Sequence, residues 1–149
     1  MKNDLKKEQI LNALPSKIFV TGIGTGIGKT IVSGYLCENF GYDYWKPIQS
    51  GDLENSDSIF ITNNVTEVKI WPERYKLTKP MSPHAAAEID EVEINLIDFE
   101  LPESNNLLVE GAGGLMVPLN DQDLMIDLIQ YLRLPVVLVI RDYLGCINH

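Results

Sequence analysis

Nine residues, Gly22-Ile23-Gly24-Thr25-Gly26-Ile27-Gly28-Lys29-Thr30, constrain this chain more than any other stretch. They follow an apolar run, Ile18-Phe19-Val20, and precede a helix-like stretch from Ile31 to Phe40. Strand, glycine-rich loop, Gly-Lys-Thr and helix is the order of elements that cradles nucleotide phosphates. The glycines let successive backbone N–H groups turn inward. Lys29 can then reach the β- and γ-phosphates, and the Thr30 hydroxyl can ligate Mg²⁺. Gly24, Gly26, Ile27, Gly28 and Ile31 complete the stretch expected to contact a nucleoside triphosphate. The preceding glycine is Gly22, which leaves five residues before Gly28 instead of the usual four, so the loop is a variant of the general pattern.

Charge narrows the ligand class. Against 12 basic residues stand 21 acidic ones, a net charge of −9, and such a surface repels nucleic acid and anionic membranes. An anion site must therefore be built locally. At 149 residues the chain is expected to form one domain over residues 17–149, with residues 1–16 as an extension. That extension carries Lys2, Lys6, Lys7, Ile10, Leu11 and Leu14 and is separated from the first strand by Pro15. Two cysteines make no disulfide framework, and no leader or long apolar run is evident, so the chain reads as cytoplasmic.

Four apolar segments predict buried strands: Lys17–Thr21, Tyr42–Ile48, Asn106–Glu110 and Pro135–Ile140. A helix from Lys29 to about Phe40 is expected to present Val32, Tyr35, Leu36 and Phe40 on one face and to stop at Gly41. A second helix is expected over Asp121–Leu132, with Leu124, Leu128, Ile129 and Leu132 at helical spacing and Asp121 as its cap. Val68–Trp71 reads as a short extra strand, and Pro83 to about Glu91 as a helix with proline in its first turn. Strands alternating with helices predict an α/β fold, a parallel sheet flanked by helices of the phosphate-loop NTPase kind. Ligands bind at the C-terminal edge of such sheets, where a covering helix would follow the last strand, so the sequence is read as part of a longer one.

Glu110 ends an apolar strand and is followed by Gly111-Ala112-Gly113-Gly114. A carboxylate there can hold Mg²⁺, and the glycines, Gly113 among them, let backbone approach phosphates or substrate. Lys46 lies in an otherwise apolar and aromatic segment at the same edge; a lysine there needs an anionic partner and suits an anion-stabilising role. Asp57, in Glu54-Asn55-Ser56-Asp57, reads on its own as a helix cap or solvated turn, and His84 as a helix-start residue. Cys37 reads as core. Cys146 follows Gly145 near a possible helix start, with no general base in its local sequence.

In order and spacing these segments resemble the dethiobiotin synthetases. The stretches that match are Phe19 through Thr30, Lys46-Pro47 through Ser50-Gly51, Asn55-Ser56-Asp57, Ser82-Pro83-His84, Val109 through Gly114, and Leu144-Gly145-Cys146-Ile147-Asn148-His149. The resemblance implies an ATP-dependent ligase of biotin biosynthesis, which converts 7,8-diaminopelargonate and CO₂ to dethiobiotin through a carbamate and a carbamic–phosphoric anhydride. Every intermediate is anionic, so the need is charge neutralisation and positioning. By similarity, Lys29 and Lys46 stabilise the phosphates and the anhydride, and Thr30, Asp57 and Glu110 hold Mg²⁺. Thr25 and Ser50 orient the γ-phosphate and the carbamate. Gly145, Cys146 and Asn148 belong to the stretch that receives the substrate carboxylate across a dimer interface, which implies a homodimer with shared sites.

The chain departs from that pattern at Gly24, where the family often has Asp, and it does not contain the later residues that the family uses for adenine recognition. Rival readings are a cobyrinate-type amidase, a partitioning-type nucleotide switch, and a synthetase fragment that keeps the fold without turnover. The switch proteins usually carry a lysine where this chain has Gly24.

Overall fold

Five of the six residues of the first strand, β1 (Lys17–Gly22), are buried, as befits an interior strand of the sheet. In the computed structural model, which describes residues 14–148, β1 pairs on one side with β6 (Leu107–Glu110) and on the other with β7 (Val136–Val139). β2 (Asp43–Trp45) pairs with β6, and β4 (Ile70–Trp71) with β2, giving the order β4-β2-β6-β1-β7 with every pair parallel. The expected parallel α/β architecture is therefore present. The extension's residues 1–13 lie outside the described residues; Pro15 accepts a hydrogen bond from the Tyr42 hydroxyl at 2.6 Å.

Alternation along the strands divides the core between the two faces of the sheet. Phe19, Trp45, Leu107 and Val109 pack with helix α4 (Met125–Leu132) and with Ala86 and Ala87 of α3 (Pro83–Ile89). Ile18, Val20, Tyr44 and Leu108 form the opposite cluster with Cys37 of α1 (Lys29–Phe40) and Ile61 of α2 (Asp57–Asn64). Cys37 is core, as expected.

Four expectations need correction. The segment 42–48 is not one strand. Pro47 has no N–H to give to a ladder, and its carbonyl instead accepts from the N–H groups of Arg74 and Tyr75 at 2.9 and 3.0 Å. The chain then leaves the main sheet and continues as β3 (Ile48–Ser50), paired in parallel with β5 (Tyr75–Leu77). Second, β7 is not fully buried: among the described residues it pairs with β1 alone, at the sheet edge, and Val136 and Leu138 are 46% and 43% exposed.

Third, Tyr35 does not share the packed face of α1 but is 62% exposed. The buried positions of α1 are Lys29 and the small residues Ser33, Gly34 and Cys37, with Gly34 set against Ile61 and Val65, and Gly41 ends the helix with φ 68°. Fourth, α4 begins at Met125, and Asp121 is not its cap. Asn120 Oδ1 instead accepts from the N–H groups of Gln122 and Asp123, closing a turn, and the Asp127 carboxylate accepts from Leu124 N–H at 2.8 Å. Helix α2 was foreseen only in the alternative that made Asp57 a helix cap, and the cap is one residue earlier. Ser56 caps it, accepting from Ile59 N–H, and Asp57 is its first residue.

Candidate functional site

Three adjacent strands, β2, β6 and β1, deliver their C-terminal ends to one place. β1 runs into the glycine-rich loop, β6 ends on Glu110, and Lys46 directly follows β2. Gly28 takes φ 104°, a conformation open to glycine, and this aims the chain into α1. No side chain caps that helix, so its first N–H groups remain free of side-chain acceptors, as an anion cradle requires. Gly114 packs directly on the loop: a Cβ there would stand 3.1 Å from the Gly22 carbonyl oxygen and from Gly24 N.

The charged groups meet at the base of a cavity of about 590 Å³. Lys46 Nζ lies 2.6 Å from Asp57 Oδ2 and 3.4 Å from Glu110 Oε1. Thr30 Oγ lies 2.8 Å from Asp57 Oδ1 and 2.9 Å from Glu110 Oε1. Lys29 Nζ donates to the Gly24 carbonyl at 2.8 Å, inside its own loop. Lys46 and Glu110 are almost wholly buried, at 4% and 0% exposure.

Burial lowers the Lys29 pKa, and the Lys46 ammonium lowers it further. Burial alone would lower Lys46 as well, but Glu110 and then Asp57 outweigh it and hold its pKa up, so Lys46 stays an ammonium. For Asp57 the cost of burial is overcome by Lys46, assisted by the Thr30 hydroxyl, and its pKa is lowered.

Thr30 has one hydroxyl proton and two carboxylate oxygens within 2.9 Å, so it can serve only one of them at a time. A small cation bound to the hydroxyl oxygen and both carboxylates would satisfy all three. Among the described residues no group of three or more His, Cys, Asp or Glu forms a metal cage. Two carboxylates and a hydroxyl are the sparse, hard-oxygen set that Mg²⁺ takes when phosphates supply the remaining ligands. The residues present fit that ion.

Of the residues expected from the sequence, Lys29, Thr30, Lys46, Asp57 and Glu110 come together at this one point. Thr25, Gly26, Gly28, Ser50 and Gly113 line the same cavity, with Ile31 at its wall. Gly24 and Ile27 do not line it; Gly24 acts through its carbonyl on Lys29. Gly145, Cys146 and Asn148 do not line it either, and lie in a tail where Leu144 and Ile147 are fully exposed.

Sequence reasoning gave no site role to Pro80, Met81, Ser82 or Pro83, which line the cavity, although Ser82-Pro83-His84 was among the stretches that carry the resemblance. It also missed Tyr44, whose hydroxyl donates to Glu110 Oε2 at 3.1 Å and which looked like one more aromatic core residue.

Residues 16–149 match a family model described as an AAA domain. A curated ATP-dependent dethiobiotin synthetase of Christiangramia forsetii is 50% identical over 139 residues, 91% of this chain and 67% of that protein. Proteins of the same name from Lawsonia intracellularis and Brucella ovis are 48% and 45% identical, covering 89% and 90% of this chain and 65% of each relative. The chain spans about two thirds of the length of these relatives.

Proposed function

This chain belongs to the family of ATP-dependent dethiobiotin synthetases, and from that premise we propose that it carries out their ATP-dependent ring closure, joining 7,8-diaminopelargonate and CO₂ into dethiobiotin. The observation that carries this reading is the convergence of Lys29, Thr30, Lys46, Asp57 and Glu110 on one cavity. The site holds two ammonium groups and two carboxylates and no activated nucleophile, which suits a reaction whose intermediates are all anions.

In this reading the N-terminus of α1 and Lys29 bind the β- and γ-phosphates of ATP. Thr30, Asp57 and Glu110 hold Mg²⁺, which supplies charge neutralisation at the phosphates. Lys46 faces the carbamate formed on the substrate amine and stabilises it as it takes the γ-phosphoryl group. Ser50 Oγ is buried and has no protein partner, so it is free to bond the carbamate; Thr25 and the Gly113 backbone border the same space. The second amine then closes the ring and releases phosphate. Positioning of these partners supplies the rate, with no need for a strong base.

The substrate carboxylate is assigned to Gly145, Cys146 and Asn148 of a second copy, which makes the working unit a homodimer. Its partners are small molecules, with no nucleic acid and no membrane, and its place is the cytoplasm. Among the described residues no helix is long and apolar enough to cross a membrane. The relatives' shared name favours the ligase over a nucleotide switch or a fragment without turnover.

The test is ADP release measured with and without the diamine. Release that requires 7,8-diaminopelargonate and bicarbonate together supports the ligase. ATP hydrolysis at the same rate without the diamine overturns it.

A further inference from the structure

Tyr44 and Lys46 are two residues apart in the chain, Tyr44 in β2 and Lys46 just past its end, and Tyr44 pairs in register with Leu108 on β6. Two residues beyond Leu108 stands Glu110, so alternation brings Tyr44, Lys46 and Glu110 to one face of the sheet. The two oxygens of the Glu110 carboxylate are then divided between different partners. Thr30 Oγ and Lys46 Nζ lie 2.9 and 3.4 Å from Oε1, on the cavity side. On Oε2 the Tyr44 hydroxyl donates at 3.1 Å.

We propose that Tyr44 is a positioning residue for the metal-binding carboxylate: its hydroxyl fixes Glu110 so that Oε1, and not Oε2, faces Thr30 and Asp57. Tyr44 and Glu110 are both fully buried, so no solvent water can replace the phenol as donor to Oε2. Nothing else on β2 performs this task, since Trp45 faces the opposite side and donates its Nε1–H to the Pro72 carbonyl. The inference rests on the Mg²⁺ site of the proposed function.

The experiment measures Mn²⁺ binding by electron paramagnetic resonance, with a non-hydrolysable ATP analogue present, in the parent, Tyr44→Phe, Glu110→Gln and the double variant. Loss of a partner behind a metal ligand weakens metal affinity about 10–100-fold. Tyr44→Phe is expected to fall in that range while its affinity for the nucleotide in EDTA stays at the parent value. The double variant is expected to bind Mn²⁺ no more weakly than Glu110→Gln alone, because the hydroxyl acts only through that carboxylate.

Parent-like Mn²⁺ affinity in Tyr44→Phe overturns the inference. So does an equal further loss in the Glu110→Gln background, which would mark a general effect on the fold. If the Phe variant melts early, Tyr44→Met repeats the comparison with another apolar side chain that lacks the hydroxyl. Failure of the parent itself to bind Mn²⁺ would instead overturn the metal site, and the inference with it.

Discussion

Lys46 and Asp57 are joined by a 2.6 Å ion pair that ties the end of β2 to the first turn of α2. The same ammonium reaches Glu110, so one lysine bridges both carboxylates proposed to hold Mg²⁺ and offsets one of their two charges. The lysine is thus an internal counter-ion standing where charge from the metal would act. A divalent cation on Asp57, Glu110 and Thr30 would release the Lys46 ammonium towards the cavity, where the reaction develops negative charge.

Lys46→Met tests that exchange. It leaves Glu110 buried without its cationic partner, which should destabilise the metal-free protein by about 3–5 kcal/mol. With the competing ammonium gone, Mn²⁺ should bind more tightly than to the parent in the absence of nucleotide and restore much of the lost melting temperature. Calorimetric titration and thermal melts read both effects. Weaker Mn²⁺ binding in the variant would count against the exchange.

Lys29 donates to the Gly24 carbonyl inside its own loop, a bond that the proposed function exchanges for the phosphates of ATP. Lys29→Ala should lower turnover about a hundredfold or more, as for loss of one preorganised donor to a charged transition state. Steady-state ADP release is the readout, and parent-like turnover would remove the phosphate-loop role of this lysine.

Gly114→Ala should damage nucleotide binding without touching a ligand. Its Cβ would lie within 3.1–3.2 Å of backbone atoms of residues 22–24, and backbone cannot yield as a flexible side-chain end can. The loop must shift, and ATP affinity measured by titration should fall. Unchanged affinity would mean that the loop adjusts freely.

Asp98 accepts from the Tyr75 hydroxyl at 2.5 Å and pairs with Arg74 at 3.3 Å, and the phenol first of all lowers its pKa. A carboxyl lowered in the folded state contributes stability above its unfolded value, about 3.9, and loses that contribution as pH falls through the folded value. The parent should therefore lose melting temperature in that acid range more steeply than Asp98→Asn. Parallel curves would contradict the assignment.

Much of this was legible in the sequence because it follows from local rules. The glycine-rich loop, Lys29 and Thr30 are contiguous, and Glu110 closes an apolar run, so chain order alone placed them at one sheet edge. Asp57 was not legible from its surroundings. Its helix is short, and only Lys46 and Thr30, distant in sequence, turn a first-turn aspartate into a site residue. Tyr44 was invisible for a related reason: an aromatic residue on a buried strand predicts packing, whereas its hydroxyl's partner lies 66 residues away. The break at Pro47 was signalled by the proline itself, but the partner strand at Tyr75–Leu77 is set by tertiary pairing.

The most direct test of the central claim follows the carbon. The parent chain, MgATP, 7,8-diaminopelargonate and ¹³C-bicarbonate are incubated and analysed by mass spectrometry, with Lys46→Ala alongside. The account predicts dethiobiotin carrying the ¹³C label from the parent and none from the variant. Bound ATP with no labelled dethiobiotin from the parent, or equal product from Lys46→Ala, would contradict it.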